Sequence, residues 1–200
     1  MIDPSELPGI LQGLSPRCNY DGFGWRRVEA YEFTQKGQQV FYDEGPLTKG
    51  ARFSPVGHAR ALYYAESQKT AIRESKPSGI SLSSRQPRSD YDMQVIVRLN
   101  AVLDLGEASV RRRLKTTLDE LKEPWIGAHS REDHWPPTWH LGKATFLSER
   151  FDAIRYPSAK HDRHYCIAIF TGRLVCGAHL EAIHPQRGAV RIKVSGRLRG

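Results

Sequence analysis

The sequence predicts an α+β fold. Strand-like and helix-like segments are interleaved without a steady βαβ period, no internal repeat is present, and apolar residues make up 39% of the chain against 26% charged. At 200 residues and 22.7 kDa, one hydrophobic core suffices, so a single domain over residues 1–200 is expected.

Gly24 to Phe33 (GWRRVEAYEF) reads as an early strand, and Arg60 to Glu66 (RALYYAE) is a second, rich in β-formers. Ser67 can cap a helix over Gln68 to Lys76, because its hydroxyl can accept a first-turn N–H, and Pro77 ends it by disfavouring helix at the residue before. Glu74 therefore falls near the C-terminal end of that helix. Pro77 to Asp90 (PSGISLSSRQPRSD) reads as a surface loop, and Met93 to Leu99 (MQVIVRL) as an apolar strand. Ser109 is placed to cap a helix whose Val110, Leu114, Leu118 and Leu121 recur every three or four residues up to Pro124. Thr138 is placed to cap a third helix through Trp139, Leu141 and Phe146 to about Arg150. Phe151 to Tyr156 and Tyr165 to Phe170 read as strands flanking a Pro157-Ser158 turn, and Val190 to Val194 alternates as an edge strand would.

Thirty Lys and Arg against 22 Asp and Glu give a net charge of +8, which favours an anionic ligand, a nucleic acid or an acidic protein partner. Arg111-Arg112-Arg113 motivates a non-catalytic nucleic-acid-binding reading. That reading ranks low: the run sits on a helix whose apolar face is already defined, so a solvated face explains it, and aromatics are not interleaved with the basic residues. No apolar run approaches the roughly 18 to 20 residues that cross a bilayer, and the first residues lack a basic n-region. No membrane association is expected, and a cytoplasmic location is, with delivery to other cells left open. Cys18, Cys166 and Cys176 have no metal-like spacing, so neither a disulfide nor a zinc site is expected. His129, His134 and His140 cluster with Trp125, Trp135 and Trp139, but Pro136-Pro137 interrupts any HExxH-like helix, which leaves them loop and packing roles.

The most informative stretch is Gly50 to Glu74 (GARFSPVGHARALYYAESQKTAIRE): a turn with an arginine, a tyrosine-bearing strand and a helix presenting a glutamate. Arg52 in a tight turn offers a rigid fork of donors suited to a pyrophosphate. Glu74 supplies a carboxylate that can stabilise positive charge at a sugar carbon. Tyr63 can stack on a ring, whereas Tyr64 points to the opposite face. Ser158, after Pro157, can hydrogen-bond a phosphate or ribose, and no GxSxG elbow marks it as an acyl-transfer nucleophile. Arg26 or Arg27 can add a second phosphate contact; alternation sends them to opposite faces without deciding which is inward, and Arg27 stands among the candidate ligand contacts.

These motifs, with Ile154-Arg155-Tyr156-Pro157-Ser158, resemble the RES-domain family, toxin enzymes named for an Arg–Glu–Ser set. The resemblance spans about Trp25 to Phe170. It departs at Gly50-Ala51, where two glycines are usual, and at Phe53-Ser54, where Trp-Asn is common. It implies a fold similar to ADP-ribosyltransferases, with a mixed, mostly antiparallel split sheet flanked by helices. It also implies Arg52, Glu74 and Ser158 as catalytic residues, with Arg52, Tyr63 and Ser158 holding NAD+ as substrate; Arg27 is added as a ligand contact from the strand reading alone, and no metal is expected. The implied activity is NAD+ cleavage by hydrolysis or phosphorolysis; transfer of ADP-ribose to an acceptor protein is the alternative. A cognate protein antitoxin is the implied partner.

Overall fold

A computed structural model describes residues 3–17, 19–29, 41, 43–75, 90–126, 132–183 and 191–195. Its strands are β1 (Tyr20–Glu29), β2 (Leu62–Ala65), β3 (Asp90–Leu99), β4 (Val102–Asp104), β5 (Ala153–Pro157), β6 (Tyr165–Ile169), β7 (His179–Ile183) and β8 (Arg191–Ser195). The α-helices among the described residues are α1 (Leu7–Gly13), α2 (Glu44–Lys49), α3 (Gln68–Ser75), α4 (Ala108–Arg113), α5 (Leu118–Lys122) and α6 (Pro137–Leu147).

The strands form one eight-stranded sheet in the order β4-β5-β6-β2-β1-β3-β7-β8. Among the described residues only β4 and β5 pair parallel; the other neighbours are antiparallel. The expected α+β class and mixed, mostly antiparallel sheet are therefore present. The sheet is also split. β1 pairs with β3 along its whole length, from Tyr20↔Leu99 to Glu29↔Asp90, but meets β2 through Trp25↔Ala65 alone among the described residues. On one side of the sheet Leu11, Phe53, Ile154, Tyr156 and Phe170 form a core, and on the other Leu62, Tyr64, Val95, Val97 and Ile169 form a second. Strand alternation produces this division, with Tyr63 packed against the first core and Tyr64 buried in the second.

Several elements depart from their expected bounds. β1 begins at Tyr20 rather than Gly24, because Tyr20 to Phe23 find partners in Leu99 to Ile96 of β3, and residues 30–33 lie outside the described ones. The helix expected from Ser109 to Leu121 is two helices. Lys115 takes a left-handed φ of 50°, and Thr117 opens α5 with a reciprocal cap in which it accepts from Glu120 N–H while Glu120 accepts from Thr117 N–H. Ser109 is not the cap of α4; Glu107 holds that position. Thr138 lies within α6, which starts one residue earlier at Pro137 with Pro136 as cap, because proline's fixed φ suits the first helical position. Ser67 caps α3 as expected, accepting from Thr70 N–H at 3.3 Å. Residues 77–89 of the expected loop, Cys18 and His129 lie outside the described residues. No helix among the described residues is long and apolar enough to cross a membrane.

Candidate active site

The arginine turn is built from both of its flanks. Gly50 adopts φ 75°, a left-handed conformation that side chains disfavour. Ala51 and Ser54 close the turn with paired main-chain bonds, Ala51 N–H to Ser54 O at 2.8 Å and Ser54 N–H to Ala51 O at 3.0 Å. From β2, the Tyr63 hydroxyl accepts the Phe53 N–H at 3.0 Å and shares a bond with Ser54 Oγ at 3.0 Å. From α6, Trp139 Nε1 donates to Ala51 O at 2.8 Å. Helix and turn approach so closely that a Cβ on Gly142 would lie 1.9 Å from the Phe53 carbonyl oxygen. Gly142→Ala must push α6 off the turn, an overpacking that costs about 1–3 kcal/mol, and each kcal/mol lowers Tm by about 2–4 °C in a chain of this size. Calorimetry checks this; an unchanged Tm would mean that α6 withdraws from the turn freely.

The turn delivers Arg52 to the C-terminal end of α5. Its Nη1 donates to Leu121 O and Glu123 O, each at 2.8 Å, satisfying carbonyls that a helix end leaves without intrahelical partners. Among the described residues these are the hydrogen bonds of its guanidinium, so Nε and Nη2 form the unengaged side of the fork. Arg52 is thus held by one nitrogen while two remain for an anion.

Glu74, in the last turn of α3, lines the same cleft as Arg52. Ser158 Oγ donates to Glu74 Oε1 at 2.5 Å, and the Lys160 N–H reaches the same oxygen at 3.3 Å. Lys160 Nζ donates to the Glu74 main-chain carbonyl at 2.8 Å. Ser158 is only 1% exposed, and its Oγ also accepts the N–H groups of Lys160 (3.2 Å) and His161 (3.0 Å). Its hydroxyl is thus committed to Glu74 and to its own loop. The loop is tied back to α3 by His161 Nδ1 and Thr70 Oγ1 at 2.8 Å, in a buried contact.

Between Arg52 and Glu74 opens a cleft of about 760 Å³ at the split of the sheet, within the range of roughly 300–1,000 Å³ usual for small-molecule sites. Arg26, Arg27, Arg52, Lys122 and Lys160 line it, with Glu74 as the one carboxylate among the described residues, a balance that favours an anionic ligand. Trp25, Tyr63, Tyr156 and Trp125 add ring surface, and Ile126, 75% exposed, stands at the rim. Arg27 lies on the α3 face of β1: its cross-strand partner is Asp92, which accepts from Arg27 Nε and from Gln68 of α3, both at 2.8 Å. Arg26 pairs with Met93, a residue of the other core, yet it also contributes to the cleft wall. Burial pushes the Tyr63 phenol up to about 12 and raises the Tyr156 phenol and the Cys166 thiol well above their ordinary values, so all three stay protonated at neutral pH.

Arg52, Glu74, Tyr63 and Arg27 all border this cleft, and Ser158 lies behind Glu74 rather than in the wall. Tyr63 presents its ring to the cleft while its hydroxyl is bound to the turn. The sequence reading missed Trp25, Tyr156, Lys122 and Lys160, and also Trp139 and Gly142 behind the turn. Trp139 and Gly142 share a helix face through their i, i+3 spacing, a signal present in the sequence. The arginine run is not simply solvated: Arg111 Nη1 donates to Leu105 O and Gly106 O at 2.7 Å, and Arg113 Nη2 to Gly13 O at 2.8 Å. Of the expected His and Trp cluster, Trp135 packs edge-on against Trp139 and lies against His140, whereas Trp125 lines the cleft.

The RES domain family model matches residues 24–190, a span that takes in the arginine turn, α3 and the Ser158 loop. Among curated proteins none matches. Among solved structures, the fold is similar to a chain of the M. tuberculosis MbcT–MbcA toxin–antitoxin complex, with a TM-score of 0.66 and 15% identity over 94% of this chain and 92% of that one. At that identity the likeness concerns the fold. With the family model covering the greater part of its length, the chain belongs to the RES domain family.

Proposed function

We propose that this protein is a toxin enzyme that binds NAD+ in the cleft and breaks the bond between nicotinamide and ribose. The observation that carries the reading is the Glu74 carboxylate, fixed by Ser158 at 2.5 Å, in the lining of a cleft that Arg52 also lines, with Nε and Nη2 of its guanidinium unengaged among the described residues. Family membership and the likeness to a chain of a toxin–antitoxin complex support it.

In this reading the pyrophosphate lies against Nε and Nη2 of Arg52, with Arg27 as a second contact, and Tyr63 offers its ring to a base. The C1′–N bond breaks with its electron pair leaving on nicotinamide, which departs neutral, and C1′ acquires oxocarbenium character. The negative charge of Glu74 stabilises that centre and gains strength as the positive charge develops. Ser158 positions the carboxylate and does not itself touch the ligand. Attack by water gives ADP-ribose and a proton; attack by phosphate gives the 1-phosphate of ADP-ribose; a protein side chain gives an ADP-ribosylated acceptor. No metal is required by any of these steps. A cognate protein antitoxin, which would need an acidic surface to meet the basic cleft rim, is the proposed partner.

Purified protein free of antitoxin is expected to release nicotinamide from NAD+, and chromatography of the second product identifies the acceptor. Folded protein that leaves NAD+ intact with and without phosphate and in the presence of acceptor proteins would overturn the proposal.

A further inference from the structure

We infer that Trp139 is a positioning residue for Arg52, acting through the carbonyl of Ala51. The inference rests on the reading of Arg52 as the pyrophosphate contact. Trp139 is 3% exposed, and a buried indole N–H must find an acceptor or leave its desolvation uncompensated. It finds the Ala51 oxygen, at 2.8 Å. That oxygen belongs to the peptide unit that carries the Arg52 N–H, so its direction sets the direction of the arginine's own Cα. The indole is itself fixed. Its Cζ2 would lie 3.1 Å from a Cβ placed on Gly50, a tight approach at a position whose φ of 75° already favours glycine, and the Trp135 ring meets it edge-on at a centroid distance of 5.6 Å.

The Ala51 oxygen also accepts the Ser54 N–H at 3.0 Å, so loss of the indole bond would not leave it without a partner. What is lost is the tether between turn and helix. A tilt of about 10° at this peptide, carried to the end of an arginine side chain, moves the guanidinium by about 1 Å, a displacement that functional sites do not tolerate without loss. The bond of Trp139 to the turn therefore serves the aim of Arg52 more than the stability of the fold.

Trp139→Phe keeps the buried ring and removes the donor. Because the pyrophosphate carries its charge before and during the reaction, the expected result is an NAD+ KM raised by about tenfold with kcat nearly unchanged. Thr145→Val is the control: it removes a bond of similar kind on the same helix, Thr145 Oγ1 to Leu141 O at 2.7 Å, without touching the turn. It is expected to lower Tm about as much and leave KM alone. In an Arg52→Ala background, adding Trp139→Phe is expected to leave NAD+ affinity unchanged, since there is no longer a guanidinium to aim. The inference is overturned if Trp139→Phe binds NAD+ as the native protein does, if Thr145→Val raises KM equally, or if the Trp139 and Arg52 effects add in full. If Arg52→Ala alone leaves KM unchanged, the reading of Arg52 fails, and this inference with it.

Discussion

Glu74→Gln is expected to lower turnover by about 10² to 10³, roughly 3 to 4 kcal/mol, while NAD+ binding changes little. Glutamine keeps the length of the side chain and a carbonyl oxygen that can still accept from Ser158 Oγ and the Lys160 N–H, the two donors that hold Oε1. The loop from Ser158 to His161 should therefore stay in place, and Tm should stay close to the native value. Only the charge disappears. On the proposed reading that charge faces, in the bound ground state, a ribose whose anomeric carbon has not yet lost its leaving group, so affinity hardly depends on it. In the transition state the same carbon is cationic, and an interaction that strengthens there raises kcat. Direct titration with NAD+ and single-turnover measurement of nicotinamide release separate the two effects. Turnover near the native rate would remove Glu74 from the reaction centre and leave it a helix residue that merely anchors the Ser158 loop.

Arg52→Ala is expected to act on binding and on the fold together. On the proposed reading the lost fork takes with it charge-assisted bonds to a pyrophosphate, each worth about 1.5–3 kcal/mol, so the KM for NAD+ should rise about 10- to 100-fold, with a further fall in kcat from misplacement of the substrate. The same substitution strips Leu121 O and Glu123 O of their donor at the end of α5, and Tm should fall as well. Arg52→Lys separates the contributions, because an ammonium restores a point charge but not the planar fork that serves carbonyls on one side and an anion on the other. Expression of the native protein in a bacterial host is expected to arrest growth, and either the alanine or the lysine variant is expected to relieve that arrest. Native KM in the alanine variant would assign the arginine to α5 alone.

The sequence by itself determined the motifs and the elements that carry them. Ser67 and the helix formers after it placed Glu74 near the end of α3, the alternation of Tyr63 and Tyr64 assigned them to opposite faces, and Ser158 falls in the connection between the two strands, although Pro157 belongs to β5, where it pairs with Tyr165. These features depend on residues within one turn or one strand of each other, where local propensity and side-chain period decide the outcome. The RES resemblance supplied the pairing of the separated motifs. Only the tertiary structure decided what each polar atom does. Arg52 spends one nitrogen on carbonyls from positions 121 and 123, and Ser158 spends its hydroxyl on Glu74 instead of on the cleft. Asp92 and Gln68 fix which of two neighbouring arginines stands on the α3 face. Each is a contact between segments far apart in the chain, with a partner that hydrophobic period and capping rules do not reveal. A hydrogen bond is spent on whichever partner packing brings within reach, and that partner is set by the sheet order and by the close approach of α6 at Gly142, where the absence of a side chain lets the helix touch the turn.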